Sequence, residues 1–398
     1  MIIIIMFIIF RFIVLGFLTV YLVSCSPEKN ISAKVENLDL AQVVKTYSEI
    51  VYSTYVDSHA AAKEMSKSIN EFLDSPSEQS FIAAKESWIS ARLPYLQTEV
   101  YRFYGGPIDD EDGPEGLLNA WPMDEAYVDY VKGAPDSGII NDDKSYPEIT
   151  KDLLISLNEK DGEENISCGY HAIEFLLWGQ DFQTNGPGER PHTDYTTAAN
   201  ADRRKEFLKI TVSLLLENLK SLVNEWVPSQ ANYRSNFLKE DSLVAIQKIL
   251  SGMTLLSGFE LAGERLLVAY ESRAQEDEHS CFSDTTHNDA IYDIVGIINV
   301  WSGTYKALDG TKIEGPGIRA LATDQDPALG SKIDKALMSA LDKSKAIPTP
   351  FDQAILAKDG SESRKAIINL IEELENVADG FVTIAKNSGI NVSKEPEP

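Results

Sequence analysis

Cysteine and histidine are scarce in this chain, with three of the first and five of the second among 398 residues. Three thiols cannot build a four-cysteine zinc site, and so few thiolates argue against an iron–sulfur cluster or a copper(I) site. Basic residues are outnumbered too: 36 lysines and arginines stand against 62 aspartates and glutamates, a formal net charge of −26. A surface of that sign does not draw the chain to nucleic acid or to anionic membrane. No GxxxxGK[ST] loop, no GxGxxG after a strand and no GxSxG elbow is present. HExxH is absent, and the inverted form HxxEH fails because Phe175 follows Glu174. Nowhere beyond the N-terminus is there a run of ~18 uninterrupted apolar residues, the length a spanning helix needs.

The N-terminus itself reads MIIIIMFIIFRFIVLGFLTVYLVSC, with Arg11 as its single charge and twelve uncharged residues from Phe12 to Val23. This is the pattern of an export signal, with Met6 as an alternative start. Leu22-Val23-Ser24-Cys25 resembles a bacterial lipobox, which makes Cys25 the lipidated first residue of the mature chain; a retained transmembrane helix is the other reading. Residues 1–24 are then a lipoprotein signal peptide and 25–36 a polar tether. Removing the signal takes away only Arg11 and leaves 35 basic against 62 acidic residues. Export permits a disulfide between Cys168 and Cys281, and two buried free thiols are the equal alternative.

Helical apolar periodicity dominates the rest, over residues 38–56, 78–103, 167–178, 203–226, 243–250, 255–270, 289–308, 329–341 and 363–385. Convincing alternating strands are absent, so the fold class is all-α. The length exceeds what one small core organises, and two helical bundles are expected, residues 37–229 and 230–398. Three long loops interrupt the helices: 104–125, rich in proline and glycine; 185–195; and 275–289, where two histidines sit among five acidic side chains. Ordered loops on a helical scaffold tend to carry sites, although covering a bundle end is an equally good reason for one.

The segment GYHAIEFLLWGQD, Gly169 to Asp181, places a rare histidine inside an apolar helical run with a glutamate three residues later. On a helix His171 and Glu174 share a face and can converge on a metal ion; the plainer reading is a packed histidine hydrogen-bonded to its neighbour. Further metal ligands could come from His279, Asp284 and His287 in the third loop, and imidazole with carboxylate suits iron, zinc or manganese. Asp284 also reads as a helix N-cap. Trp88, Arg92, Tyr95 and Glu99 fall on one stripe of a helix that Pro94 should kink, with a buried Arg92–Glu99 pair expected there. Glu260, Glu264 and Arg265 read as salt bridging. Gly258-Phe259-Glu260-Leu261-Ala262 faintly echoes Gly169-Tyr170-His171-Ala172-Ile173, with one residue of slippage further along; if the echo is real, Glu260 opens a helix after a glycine as His171 does.

Taken together, GYHAIEFLLWGQD, RFYGGPIDDEDGPEGLLNAWPMDE, GERPHTDY, ELAGER and EDEHSCFSDTTHND resemble, in this order, the imelysin family and most closely its iron-regulated lipoprotein branch. The family's GxHxxE hallmark falls on Gly169, His171 and Glu174. The resemblance implies two packed helical bundles with long ordered loops, a lipid-anchored place in the bacterial cell envelope facing the periplasm or the cell surface, and a link to iron acquisition. Its partners would be the membrane through the lipid on Cys25, a metal ion or iron chelate with iron first and zinc second, and an outer-membrane receptor or permease. The family's peptidase label keeps an enzymatic alternative open, a metallopeptidase in which His171 is a ligand and Glu174 a ligand or general base. A non-catalytic interaction module of an uptake system is a further alternative. The glycine is expected to let the backbone approach closely at the start of the motif helix, with the loop over 275–289 closing the cleft into which His171 and Glu174 point.

Overall fold

The computed structural model describes residues 38–396; the expected signal segment over 1–24, the expected lipidation site Cys25 and the expected tether over 25–36 lie outside them. The first helix, Leu40–Asp74, starts where the Asp39 carboxylate accepts from the Ala41 amide, and it runs on well past residue 56. A short turn leads into Glu78–Leu96, whose start is fixed by Ser77 and Ser80 accepting from each other's backbone amides. Pro94 lies inside this second helix, which continues beyond it to Leu96. Its ring nitrogen has no proton to give to the preceding turn, the helix stops at Leu96, and the chain turns through the 3₁₀ segment Glu99–Tyr101.

The apolar runs over 243–250 and 255–270 are one unbroken helix from Ser242 to Ser272. It passes a length-and-composition test for a membrane span, but over half of its most apolar window is buried inside the protein, and it carries Glu260, Glu264 and Arg265. From Leu256 to Leu267 it winds as a π-helix. Gly258 is therefore in mid-helix and Glu260 opens nothing, which removes the expected equivalence with His171. Wider winding absorbs one residue more than an α-helix does. The one-residue slippage in the echo falls in this stretch.

The helix Thr286–Ser302 ends short of residue 308 because Gly303 takes a left-handed φ of 72°. The chain then forms a two-stranded antiparallel hairpin, Thr304–Lys306 with Lys312–Glu314, Tyr305 opposite Ile313. Apart from this hairpin and an isolated bridge, the described residues are helix, turn and loop, as the apolar period requires. Two further long helices, Pro327–Lys345 and Glu362–Asn387, complete the C-terminal part.

Buried apolar side chains gather in two clusters. The larger runs from Val43 to Ala385 and includes Tyr55, Trp88, Phe175, Leu215, Trp226 and Trp301. The smaller collects Leu261, Leu266, Ile294, Phe351, Ile367, Leu370 and Leu374. Each apolar side chain taken fully out of water contributes about 1.5–3 kcal/mol, which offsets the conformational entropy of ordering the helices.

The motif helix Gly169–Trp178 differs from the others in having all ten residues buried. Such a helix has no solvated face, so its polar groups must find partners inside the protein. The Trp88 indole donates to the Tyr170 carbonyl at 3.0 Å and the Tyr195 hydroxyl to the Leu176 carbonyl at 2.6 Å. Gly169 opens the helix at φ +88°, and a Cβ there would stand 2.7 Å from the Leu118 carbonyl oxygen. Close backbone approach and left-handed φ both demand glycine. Gly169→Ala should therefore cost about 2 kcal/mol or more of unfolding free energy in urea denaturation, and an unchanged midpoint would contradict this account.

Candidate functional site

The helical spacing puts His171 and Glu174 side by side, as the sequence implies: His171 Nδ1 lies 2.9 Å from Glu174 Oε2. The other Glu174 oxygen accepts from the Ser283 amide at 2.9 Å and from the Ser283 hydroxyl at 2.6 Å. Ser283 belongs to the loop over 275–289, which thus lies directly on the motif. The loop also delivers His279, whose ring meets the His171 ring edge-on with 4.7 Å between centroids. His279 repeats the pattern of His171. Its Nδ1 is 2.8 Å from Asp289 Oδ2, which also accepts from the Ser280 hydroxyl at 2.6 Å. Trp121, from the loop over 104–125, packs edge-on against the His279 ring at 5.4 Å.

Around this pair stand arginines and carboxylates that are themselves buried. Arg92 reaches the Asn119 side-chain oxygen and lies 3.5 Å from Asp289 Oδ1. Its guanidinium also lies over the Tyr170 ring at 5.0 Å. Arg265 holds Asp293 at 2.8 Å, Glu260 at 2.9 Å and Glu99 through a short hydrogen bond. Arg102 reaches Glu99 at 2.9 Å and Glu115 at 3.1 Å. The expected Arg92–Glu99 pair is replaced by Arg92–Asp289 and Arg265–Glu99. The reason is tertiary: Glu99 sits past the end of its helix, and the π-helical segment brings Arg265 to it from a distant part of the chain. Glu260 bridges to Arg265 as expected, whereas Glu264 is exposed.

Burial controls the protonation of these groups. It holds the His171 imidazole well below its ordinary value, with Arg92 acting in the same direction. His279 is held down in the same way, by burial and then by Arg265. Burial pushes Glu174 up to about 8, against the Ser283 hydrogen bonds and Arg92. The ring in the His171–Glu174 contact is thus neutral at neutral pH, and the contact is a hydrogen bond and not an ion pair with a charged imidazolium. Glu99 behaves oppositely: burial alone would raise it, but Arg102 and Arg265 outweigh burial and hold it down at about 2.

Several buried polar atoms here have no hydrogen-bond partner: His171 Nε2, Asp289 Oδ1, Asp293 Oδ1, Glu99 Oε1, Asn119 Nδ2, and Nε and Nη2 of Arg92. Arg92 Nη2 and Asp289 Oδ1 face each other in the 3.5 Å ion pair, and the remaining buried groups call for water, an ion or a ligand as partners. The donor set suits a metal ion in one respect. A metal-binding imidazole characteristically gives its other nitrogen to a carboxylate, which fixes ring and tautomer, and His171 has Nδ1 on Glu174 and Nε2 free. Yet among the described residues no three or more of His, Cys, Asp and Glu are arranged to hold a metal ion. His171 Nε2 has no hydrogen-bond partner, and no coordination shell is assembled around it among the described residues.

Of the residues singled out from sequence, the fold brings together His171, Glu174 and His279. His287 is half-buried on the following helix, its Nδ1 without a partner, and no contact joins it to the histidine pair. Asp284 does not cap a helix: the capping position is Thr285. Cys168 and Cys281 are both buried free thiols, not a disulfide. Sequence reading passed over Ser283, which has no distinguishing pattern, and Asp289, which looks like an ordinary first-turn acid of the helix Thr286–Ser302.

A helical protein with a buried histidine–carboxylate site on a GxHxxE helix is the class that fold and site define. The chain matches the Imelysin family model over residues 51–378 and belongs to that family. It is similar to iron-regulated protein A of Synechococcus elongatus, 23% identical over 78% of this chain and 77% of the relative. Among solved structures it resembles a candidate iron-regulated protein A precursor from Parabacteroides distasonis, with a TM-score of 0.65, 19% identity, and coverage of 86% of this chain and 95% of that one. An imelysin-like protein from Psychrobacter arcticum is similar at a TM-score of 0.62, with 12% identity over 90% of this chain and 98% of the other. At these identities the structural likenesses establish the fold alone.

The arginine–carboxylate network gives a pH-dependent expectation. Because the folded Glu99 is held at about 2, below its ordinary 4.5, it contributes stability that is fully present above about pH 4.5 and is lost as pH falls toward 2. Glu99→Gln should cost about 3 kcal/mol at neutral pH by leaving Arg265 under-compensated, and the gap to wild type should narrow between pH 4.5 and 2. Chemical denaturation across that range measures it; a gap that is constant with pH would contradict the assignment.

Proposed function

We propose that this chain is a cell-envelope lipoprotein, anchored through Cys25, that binds a metal ion at His171 in the course of iron acquisition. The observation that carries the reading is the state of His171: neutral, fully buried, its Nδ1 held by Glu174 and its Nε2 without a partner. His279 lies against it in the same carboxylate-held state and is the natural second nitrogen. Glu174 and Asp289 orient the rings, and Asp289 Oδ1 faces the Arg92 guanidinium. Imidazole nitrogen with carboxylate oxygen suits ferrous iron and zinc. Two relatives are named for regulation by iron, which supports reading iron as the first candidate cargo. The leader ending at Cys25 supports an anchored, exported chain that passes its cargo to a receptor or permease.

Binding is favoured over peptide hydrolysis by the surroundings of Glu174. A general base must face the water it activates, but both Glu174 oxygens are occupied by His171 and Ser283 and the residue is fully buried.

Thermal unfolding of the mature chain without its lipid, with ferrous, ferric, zinc and manganese ions, tests the proposal beside His171→Ala and Glu174→Ala. An ion at about a hundred times its dissociation constant should add roughly 2.7 kcal/mol of stability. The shift should disappear in His171→Ala and shrink in Glu174→Ala, since the second loses only the group that holds the ring. No shift with any ion in wild type would sink the metal reading, and peptide cleavage abolished by chelation would replace it with the enzymatic one.

A further inference from the structure

The surroundings of the two histidines hold unused hydrogen-bond donors as well as ligand atoms. Arg92 is 1% exposed and sits among three aromatic rings, its guanidinium 5.0 Å from the Tyr170 ring centre, 5.5 Å from Tyr95 and 5.6 Å from Trp88. A guanidinium carries five N–H donors in one plane. Here Nη1 gives to the Asn119 side-chain oxygen and Nη2 faces Asp289 Oδ1 at 3.5 Å, while Nε meets no acceptor among the described residues. Asn119, 3% exposed, is in the same state: its oxygen is taken by Arg92, and its Nδ2, with two protons to give, has no partner among them. The two side chains with spare donors are thus hydrogen-bonded to each other. Contacts place them against both histidines. Asp289, which faces Arg92, also holds His279 Nδ1 at 2.8 Å, and the His279 ring meets the His171 ring at 4.7 Å. Tyr170, which packs on Arg92, directly precedes His171 in the motif helix. The Asn119 amide nitrogen lies 3.4 Å from where a Cβ on Gly169 would stand, at the first residue of that helix.

With His171 as a metal ligand, the reading on which this proposal rests, the spare donors acquire a use. Imidazole ligates a metal as the neutral ring, so two histidines bring no negative charge to the ion and fill only two of its four or more positions. A doubly charged ion buried without an anion is costly, and Asp289 is already committed to Arg92 and His279. Buried N–H groups without an acceptor are costly too. One small planar oxyanion answers both needs, with an oxygen on the metal and its other oxygens accepting from Arg92 and Asn119. We propose that the histidine site takes its metal together with a carboxylate-type oxyanion, either free bicarbonate or a carboxylate arm of a chelate, and that Arg92 and Asn119 bind that anion. Arg92 supplies the positive charge and the planar edge that fit such a group, where a lysine would offer a point charge. Asn119 adds a second donor without adding charge. The site then selects a metal–anion pair over the bare ion.

Zinc, which has no redox chemistry, is the probe. Zinc chloride is titrated by calorimetry into the mature chain without its lipid, first in carbonate-free buffer under argon and then with sodium bicarbonate; a third titration uses preformed zinc citrate, with allowance for citrate's own hold on the ion. Wild type should bind zinc at least about tenfold more tightly with one of the two anions, the effect of a single charge-assisted hydrogen bond. Bicarbonate suffices if the anion is free, and citrate alone acts if the carboxylate belongs to a chelate. Asn119→Asp keeps an oxygen for Arg92 Nη1 but sets a carboxylate where the spare amide donor stood, so it should lose the gain while still binding zinc in carbonate-free buffer. Arg92→Lys should lose the gain as well. Should both variants fail to fold, difference infrared spectra of zinc-loaded wild type with ¹³C-labelled bicarbonate or citrate decide: isotope-sensitive bands of a bound carboxylate support the proposal, and their absence overturns it. Equal zinc affinity with and without either anion, or a gain kept in full by Asn119→Asp, would overturn the anion site and leave the metal reading standing. No zinc binding under any condition would remove both.

Discussion

The structure depends on one hydrogen-bonded junction, the Glu174 carboxyl held between His171 on its own helix and Ser283 on the covering loop. The motif helix is buried on every side, so water cannot satisfy its two polar side chains. Each must be met by another part of the chain, and a buried acceptor left unmade costs about 1–3 kcal/mol. The loop over 275–289 is therefore ordered by what it must supply: a serine for Glu174, a histidine beside His171, and an aspartate to hold that histidine. Gly169 serves the same end, since only a residue without a Cβ lets the helix start so close to the Leu118 carbonyl.

The electrostatic arrangement follows from that burial. The two imidazoles are neutral because charging them in the core is costly and Arg92 and Arg265 oppose it. The arginines are in turn fixed by Glu99, Asp289 and Asp293. Three layers result: a neutral pair of rings, carboxyls that orient them, and arginines, of which Arg102 and Arg265 keep Glu99 ionised. Neutral imidazole is the form that binds a metal, so the environment that stabilises the fold is compatible with the proposed metal-binding role of His171. The π-helical winding of Leu256–Leu267 fits this picture, since such segments are frequent at functional sites and this one carries Arg265.

Much of this is legible in the sequence where the signal is local. The 3.6-residue period locates the long helices, the i,i+3 spacing places His171 against Glu174, and the glycine before them reads as a close approach. The membership of the imelysin family is carried by blocks that the family model also matches. What fails is what depends on distant segments. Arg92 finds Asp289 and Glu99 finds Arg265 because separate helices bring them there, although all four lie in patterns that suggest other partners. Asp284 reads as a cap, but its backbone turns left-handed and the capping position falls to Thr285. The helical period over 289–308 hides a hairpin because Thr304-Tyr305-Lys306 is too short to show an alternation of its own.

The central claim is that His171 Nε2 is a metal-ligating atom, and anomalous diffraction tests it most directly. Crystals of the mature chain loaded with ferrous iron or zinc, measured on both sides of the metal's absorption edge, locate the ion without assumption. The account predicts an anomalous peak about 2.0–2.2 Å from His171 Nε2. A loaded crystal whose peaks all lie elsewhere, with the His171 ring uncontacted, would contradict it and leave the buried histidine–glutamate pair as a structural device.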